Sequence, residues 1–283
     1  MEGCKSKGIG ISDPEAEKQQ QEKNLKETLS RIRYKFLVMS GKGGVGKTSV
    51  SVNLGIALGK RGFKVGIMDV DLHGPDVPRM LGLKGMAGPN ERQDKLAPMI
   101  YSENISAISI ECLMPNKDDP VIWRGPLKHS AISQFITDVD WGDLDFLIID
   151  SPPGTGDEPL SVAQTIADAQ PIIVTTPQEV ALSDVRKSIN FCKKINRPLF
   201  GLIENMSGYV CPHCNKAVDL FGSGGGEKTA AQFGINFLGR IPFDPNLVKA
   251  GDAGDSYQEK YGDTPAGQAF DAIADKLAAL IKK

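Results

Sequence analysis

Short apolar runs alternate with longer amphipathic stretches along most of this chain. The apolar runs lie at residues 36–39, 65–70, 105–110, 146–149, 172–175, 199–203 and 237–241. They have the length of strands, and several are apolar at consecutive positions instead of every second one. This pattern is typical of parallel strands that are covered on both faces. We therefore predict a sheet that is buried within the molecule.

Helical patterns fill the segments between the apolar runs, at residues 48–61, 127–137, 159–167, 183–195, 227–233 and 264–283. In the last segment an apolar stripe includes Phe270, Ile273 and Leu277. The alternation of strands and helices predicts an α/β fold with a single doubly wound, mostly parallel sheet flanked by helices. Ligands of such a sheet bind at the carboxyl ends of its strands.

Composition divides the chain into two parts. Residues 1–33 are rich in Glu, Lys and Gln and bury too little apolar surface to fold alone, so we predict a flexible extension before a domain at 34–283. The 33 basic and 35 acidic residues give a net charge of −2, which argues against a nucleic-acid partner. No apolar run has membrane-spanning length, and the N-terminus lacks an apolar signal core. We therefore expect a cytoplasmic protein without a membrane partner.

A glycine-rich loop follows the first apolar run of the predicted domain and precedes its first helix. Its sequence is Gly41-Lys42-Gly43-Gly44-Val45-Gly46-Lys47-Thr48, and Ser49 follows it. Backbone N–H groups of such a loop, together with the start of a helix, bind phosphate oxygens. We predict that these residues bind ATP, that Lys47 reaches the β- and γ-phosphates, and that the Thr48 hydroxyl coordinates Mg²⁺.

The same glycines fit a second pattern. Gly41, Gly43 and Gly46 match the G-x-G-x-x-G of dinucleotide-binding folds, and Asp69 lies about where a ribose-binding acid is expected. That pattern does not require a Lys-Thr pair at this point, whereas ATP hydrolysis uses both residues. We therefore favour an ATPase over a dinucleotide-binding protein.

Acidic residues end two of the other predicted strands. Asp150 closes the run 146–149 and is our candidate for a second Mg²⁺ contact. The loop after it contains Gly154, whose backbone N–H we expect to sense the γ-phosphate of ATP. Asp69 and Asp71 leave the run 65–70 with side chains on one side of the strand. We predict that Asp71 positions the attacking water and Asp69 lies near the metal; the alternative is a turn in which both cap backbone groups.

Lys42 is one lysine more than a phosphate loop requires. A surplus cation beside the phosphates indicates an ATPase that works as a face-to-face pair of subunits. We therefore predict a homodimer and count Lys42, Lys47 and Asp71 as catalytic residues.

Cys211-Pro212-His213-Cys214 provides two thiolates, which is half of a four-cysteine site. Two copies of the chain supply all four across a dimer axis. A 4Fe–4S cluster and a structural zinc ion both accept such a site. A thiol–disulfide exchange pair is a further alternative, but those pairs begin a helix after a strand, and this pair follows a polar turn. We favour a bridging iron–sulfur cluster.

These motifs together resemble the deviant phosphate-loop ATPases, and most closely the Mrp/ApbC iron–sulfur carriers. The resemblance covers about residues 36–283. Its further motifs are the segments 69–75, Trp123-Arg124-Gly125-Pro126, the segment 150–157, Asn205-Met206-Ser207, the segment 221–227 and Gly239-Arg240-Ile241-Pro242. The cysteine loop is thus an insertion at about 205–227 within the ATPase domain.

The resemblance implies a dimer with nucleotide between the subunits, in which Lys42 contacts the nucleotide of the partner. It also implies that Asn205 and the turn at Pro242 contact adenine, and that Cys211 and Cys214 hold a bridging 4Fe–4S cluster. The implied function is an ATP-dependent cluster carrier that receives its cluster from a donor and delivers it to apo-proteins. The alternatives are a positioning ATPase that binds membrane or DNA, and an electron-donating reductase.

Overall fold

A nine-stranded sheet forms the centre of the computed structural model, which describes residues 14–72, 74–115, 125–211, 213–214 and 216–281. The strands are β1 (Ile32–Ser40), β2 (Val65–Asp69), β3 (Met99–Ser102), β4 (Ile105–Ile108), β5 (Leu144–Asp150), β6 (Gln170–Thr175), β7 (Gly201–Val210), β8 (Ala217–Val218) and β9 (Phe237–Phe243).

The described helices are α1 (Pro14–Ser30), α2 (Lys47–Gly59), α3 (Val77–Met80), α4 (Gly125–Thr137), α5 (Asp157–Thr165), α6 (Glu179–Lys194), α7 (Gly225–Phe233), α8 (Pro245–Ala253), α9 (Tyr257–Lys260) and α10 (Pro265–Ala278). A 3₁₀ helix, Ile110–Leu113, follows β4.

The strand order is β3-β4-β2-β5-β1-β6-β7-β8, and β9 also pairs with β7. The pairs β3–β4 and β7–β8 are antiparallel, whereas the other paired strands run parallel. Because the first strand lies in the middle and the chain winds outward in both directions, the sheet is doubly wound. The predicted fold class is confirmed.

Both faces of the sheet are covered, as the consecutive apolar residues predict. Along β1, Phe36 and Val38 belong to the core on one face, and Leu37 and Met39 belong to the core on the other. Side chains alternate between the faces of a strand, so a central strand with two covered faces needs apolar residues at every position. Helices α2 and α10 cover the first face, and α4 and α5 cover the second.

Residues 14–30, which belong to the predicted N-terminal extension, form a helix. Helix α1 occupies Pro14–Ser30, and its Leu25 and Leu29 pack against the core beside α4. These two leucines are four residues apart and therefore lie on one face of the helix. Strand β1 begins at Ile32, two residues before the predicted start of the domain. Residues 14–33 thus form a packed helix and the start of a strand, and the boundary at residue 34 stays a prediction.

Several short elements have too few residues for a periodic pattern. The run 105–110 divides into β4 and the 3₁₀ helix, because the Ser109 side chain accepts a hydrogen bond from the Glu111 N–H and begins a new turn. Strand β3 pairs antiparallel with β4 at the edge of the sheet. Cys4, His73, Trp123 and Arg124 lie outside the described residues.

Helix α10 packs into the protein through its apolar stripe. Phe270, Ile273 and Leu277 are buried, and Arg61 of α2 forms ion pairs with Asp271 and Asp275. The stripe is therefore a docking surface and not a free amphipathic anchor. Among the described residues, no helix combines the length and the apolar character that a membrane span requires.

We predict that Phe270→Ala lowers the free energy of unfolding by about 3–5 kcal/mol, since the ring is fully buried and its removal leaves a cavity. Val248→Ala in α8 is the control, because Val248 is 55% exposed and its truncation should change stability by less than about 0.5 kcal/mol. Urea unfolding measures both variants. Equal midpoints for Phe270→Ala and the unmodified protein would contradict the docked position of α10.

Candidate functional site

The carboxyl ends of β1, β2 and β5 meet at one edge of the sheet. The backbone register aligns Asp69 of β2 with Asp150 of β5, and Asp150 in turn with Val38 of β1. The phosphate loop leaves β1 directly after Ser40 and leads into α2 at Lys47. The parallel sheet therefore places the loop and both predicted metal-binding acids side by side.

The glycines of the loop meet distinct steric demands. Gly44 and Gly46 have φ values of 80° and 79°, in the left-handed region where a side chain causes strain. A Cβ at Gly41 would lie 2.5 Å from the backbone carbon of Asp184 in α6. A Cβ at Gly46 would overlap the side-chain amide of Asn205. The loop is thus held closely against α6 and the end of β7.

A buried network joins the loop to Asp150. The Lys47 ammonium forms an ion pair with Asp150 Oδ2 at 2.8 Å, and both side chains are almost fully buried. The Thr48 hydroxyl donates to the same oxygen at 2.8 Å, and the Ser51 hydroxyl donates to Asp150 Oδ1 at 2.7 Å. Further along α2, the Ser49 carbonyl accepts a hydrogen bond from the Asn53 side chain. Three donors on α2 therefore converge on one carboxylate.

This donor set fits Mg²⁺ and a nucleotide triphosphate. A threonine hydroxyl beside a strand-end aspartate is the pair that holds Mg²⁺ in phosphate-loop ATPases, and Thr48 and Asp150 have this arrangement. The left-handed glycines direct the loop around the start of α2, which is where phosphate oxygens bind. The residues present are thus compatible with Mg·ATP.

Asp69 and Asp71 both engage backbone groups of the turn that follows β2. Asp69 is buried, and its two carboxylate oxygens accept hydrogen bonds from the N–H groups of Asp71 at 3.0 Å and Val77 at 3.3 Å. Asp71 is partly exposed and accepts a hydrogen bond from the Gly74 N–H at 3.3 Å. The turn arrangement that we set against catalysis is therefore present, and the roles of both acids stay predictions.

Burial raises the pKa of Asp69 well above its ordinary value, and the adjacent Asp150 raises it further. The Lys47 ammonium and the two backbone N–H groups act in the opposite direction but do not outweigh these effects. The fold therefore holds two acids and one cation in a dry site. A divalent cation there would favour the charged form of the acids.

The contacts of Gly154 and the exposure of Lys42 bear on the roles predicted for these two residues. The Gly154 N–H donates to the Ser40 carbonyl at 2.8 Å, so a contact with a γ-phosphate requires this bond to break. Lys42 is exposed, as a contact with a partner subunit requires. The pKa of Asp184 is lowered, first by its hydrogen bond from Lys187 and more weakly by the charge of Lys42.

Asn205 lies next to the phosphate loop, and Pro242 follows the residue of β9 that pairs with it. Strands β7 and β9 pair Asn205 with Ile241, the residue before Pro242. The Asn205 amide donates to the Val45 carbonyl at 2.8 Å. The structure therefore brings Asn205 to the loop, with its amide engaged by the loop backbone, and places Pro242 on the neighbouring strand. The adenine contact itself stays a prediction.

The cysteine pair lies at the end of a β-hairpin that β7 and β8 form. The Cys211 N–H donates to the Lys216 carbonyl at 3.0 Å and closes the hairpin. Cys211 is partly exposed, and Cys214 is exposed. Hydrogen bonds from the N–H groups of His213 and Cys214, and then from the Cys214 thiol, lower the pKa of Cys211. The hairpin thus presents two adjacent thiols, one of them favoured as the thiolate that binds metals.

A single chain supplies two thiols at this hairpin. No group of three or more His, Cys, Asp or Glu side chains able to hold a metal occurs among the described residues. By contrast, Cys192 is buried in the core, and burial raises its pKa to about 12. These positions are consistent with a structural role for Cys192 and with an intermolecular metal site at the hairpin.

The sequence analysis missed Glu204, which is fully buried at the point where β7 leaves the core. Its carboxylate accepts hydrogen bonds from Ser207 and from the N–H groups of Gly224 and Gly226. The available signal was an acid placed directly after the apolar run 199–203, since an acid within a buried strand requires partners.

The raised pKa of Asp69 leads to a pH-dependent prediction. Because the folded protein disfavours its charged form, ionisation in the unfolded chain lowers the free energy of unfolding as the pH rises above about 3.9. Asp69→Asn cannot ionise, so without nucleotide or Mg²⁺ its stability relative to the unmodified protein should improve between about pH 4 and pH 7.

Urea unfolding at several pH values measures this difference. Asp184→Asn is the control with the opposite sign, because the pKa of Asp184 is lowered and its charged form favours the folded state. If the free energy of unfolding of Asp69→Asn, relative to the unmodified protein, stays constant or falls as the pH rises, the raised pKa of Asp69 is contradicted.

Comparison with known proteins agrees with this geometry. The family model described as ParA: NUBPL iron-transfer P-loop NTPase matches residues 31–278. An iron-sulfur cluster carrier protein of Methanocaldococcus jannaschii is 52% identical over 239 residues, which cover 83% of this chain and 81% of that protein. The cytosolic Fe-S cluster assembly factor NUBP2 homolog of Dictyostelium discoideum is 47% identical, with 88% and 96% of the two chains covered.

A solved structure gives the same result for the fold. The nucleotide-binding protein of Archaeoglobus fulgidus in complex with ADP is 37% identical, has a TM-score of 0.75, and covers 88% of this chain and 96% of its own. That protein binds a nucleotide on a fold like the one described above. The family match spans the sheet, the phosphate loop and the cysteine hairpin, so the chain belongs to the NUBPL iron-transfer family of P-loop NTPases.

Proposed function

We propose that this protein is an ATP-binding and ATP-hydrolysing carrier that holds a labile 4Fe–4S cluster between two identical subunits and transfers it to apo-proteins. The observation that carries the proposal is the exposed hairpin, which offers Cys211 and Cys214, whereas no group of three or more metal-binding side chains occurs among the described residues. Two such hairpins supply the four thiolates of a cluster.

For ATP hydrolysis, we assign the phosphates to the loop 41–48 and the start of α2. Mg²⁺, when bound, would neutralise charge on the phosphate oxygens, and Thr48, Asp150 and Asp69 are the residues proposed to hold it. Lys47 lies beside Asp150, which supports the proposal that its ammonium turns to the phosphates when nucleotide binds. Asp71 orients the attacking water, and Lys42 of the partner subunit approaches the same nucleotide.

Iron is the proposed metal because the chain belongs to an iron-transfer family and its relatives are named as iron–sulfur carriers. Zinc accepts the same four thiolates, so ligand number does not separate the two. Thiol–disulfide exchange is disfavoured, because the pair lies in a hairpin and not at the start of a helix. An exposed site suits a cluster that is accepted from a donor and released to an apo-protein.

The cytosol is the proposed compartment, because the Dictyostelium relative carries that location in its name. A membrane-positioning ATPase is disfavoured by helix α10, whose apolar stripe is buried in the protein.

An electron-donating reductase would use the same cysteines. It differs in that the cluster stays with the protein when an apo-acceptor is added.

The cysteine assignment predicts the metal content. After anaerobic reconstitution, the protein should hold about four iron and four sulfide ions per dimer, and Cys211→Ala and Cys214→Ala should each lose them. Cys192→Ala is the matched control and should load normally, since Cys192 is buried in the core. Metal analysis and visible absorbance measure the result. Full loading of both hairpin variants, or about one zinc per dimer instead of iron, would reject the iron–sulfur site.

The dimer assignment predicts the effect of Lys42. Lys42→Ala should bind ATP but hydrolyse it at least about 10²-fold more slowly, since a cation supplied by a partner stabilises transition-state charge on this scale. It should also lose ATP-induced dimerisation, measured by light scattering. Lys187→Ala, a nearby surface lysine on α6, should behave as the unmodified protein. Normal turnover and dimerisation of Lys42→Ala would contradict a role in the partner's site.

A further inference from the structure

The carboxylate of Glu204 accepts three hydrogen bonds at a buried position outside the nucleotide site. Glu204 is fully buried, and the Ser207 hydroxyl donates to its Oε1 at 2.5 Å. The Gly224 N–H donates to the same oxygen at 2.8 Å, and the Gly226 N–H donates to Oε2. Arg240 of β9 lies 3.7 Å from Oε1 and provides the compensating charge. These partners come from β7 itself, from the start of α7 and from β9.

These contacts hold both ends of residues 207–224, which we call the cysteine segment. Ser207 lies four residues before Cys211, and Gly224 is the residue directly before helix α7. The segment 207–224 therefore starts and finishes at one carboxylate. Its aromatic residues add a second attachment, because Tyr209 and Phe221 both pack edge-on against Phe243, at centroid distances of 6.0 and 6.1 Å.

The residue after Glu204 contacts the phosphate loop. Asn205 donates to the Val45 carbonyl, and its amide occupies the space beside Gly46. Met206 then has a φ of 54°, a left-handed conformation that is unfavourable for a side chain of this kind. The register of β7 with β9 shifts between Asn205 and Tyr209, and this bulge returns the Ser207 hydroxyl to Glu204.

Within β7, Asn205 thus contacts the phosphate loop, and Glu204 and Ser207 hold the start of the cysteine segment. A movement of the loop around Val45 shifts Asn205, and through the peptide bond it shifts the carboxylate that both ends of the segment share. Strained backbone at Met206 indicates that this geometry is imposed by the surrounding contacts.

We propose that Glu204 is a positioning residue that transmits the nucleotide state of the phosphate loop to the Cys211–Cys214 hairpin. The inference rests on the proposed function, because it gives that function the physical connection between ATP and cluster. Glu204 touches neither nucleotide nor metal; it acts by holding the ends of the segment in fixed relation to Asn205.

The three donors that surround this position require a carboxylate there. Two oxygens with several lone pairs receive the bonds from Ser207, Gly224 and Gly226 at once. A glutamine has one carbonyl oxygen, and its NH₂ group would face an N–H donor without an acceptor. Glu204→Gln therefore preserves size but loses at least one of these bonds together with the negative charge, which weakens the hold on the segment and leaves the residues of the phosphate loop unaltered.

The test measures thiol reactivity in the metal-free protein, with and without Mg²⁺ and a non-hydrolysable ATP analogue. Limited alkylation by iodoacetamide, followed by peptide mass spectrometry, gives separate rates for Cys211 and Cys214, with buried Cys192 as an internal reference. In the unmodified protein the analogue should change the hairpin rates by about threefold or more, as a shift between two conformations requires. In Glu204→Gln the change in these rates on adding the analogue should fall to less than about half of that in the unmodified protein, while the analogue's Kd stays within about threefold of normal.

Glu227→Gln is the matched control. Glu227 also pairs with Arg240, but it is exposed and is not one of the groups that hold the ends of the cysteine segment. It should retain the full response of the hairpin thiols to nucleotide. The response, unlike stability or overall reactivity, is not altered by a residue that merely supports the fold.

A nucleotide response in Glu204→Gln equal to that of the unmodified protein would overturn the proposal, and so would the absence of any response in the unmodified protein. If Glu204→Gln does not fold, Ser207→Ala tests the proposal instead. This variant removes one hydrogen bond to the carboxylate and should reduce the nucleotide response of the hairpin thiols. An undiminished response in Ser207→Ala would also overturn the proposal. Because these measurements use metal-free protein, failure of the coupling is distinguishable from failure of cluster binding, which iron and sulfide content reports.

Discussion

The buried ion pair between Lys47 and Asp150 is the contact on which the site depends. It joins the start of α2 to the end of β5, and Thr48 and Ser51 add two further hydrogen bonds to the same carboxylate. A buried charge without its partner is strongly destabilising, so the pair fixes the helix relative to the sheet. The phosphate loop runs from β1 into α2 at Lys47, so the pair also fixes the end of the loop.

A second constraint connects this loop to the cysteine hairpin, through β7. The strand leaves the core at Glu204 and Asn205, bulges, and continues as one arm of the hairpin. Nucleotide chemistry and metal chemistry are therefore built on the same continuous strand. In the function proposed above, the carrier binds its cluster and then releases it, and the proposed connection through Glu204 would link that change to ATP. The exposed, partly activated thiols are compatible with both states.

The residue pattern was sufficient for much of this architecture, and the reasons are physical. Consecutive apolar residues in β1 and β5 predicted strands with two covered faces, and the glycine spacing predicted the loop. Cys211 and Cys214 were evident from their spacing. Pairings distant in sequence were not predictable, because a single sequence does not report which backbone groups meet. The shared carboxylate of Glu204 and the bond from Gly154 to Ser40 are examples. Helix α1 was missed because its stability comes from packing on α4 and not from its own polar sequence.

The central claim is that one cluster is shared between two chains, each giving two thiolates. Native mass spectrometry of the anaerobically reconstituted protein tests it most directly, because it resolves chain number and metal content in the same ion. The account predicts that cluster mass appears on the dimer, as one 4Fe–4S unit, and that the monomer is metal-free. A monomer that retains a complete cluster, or a dimer that carries two, would contradict it.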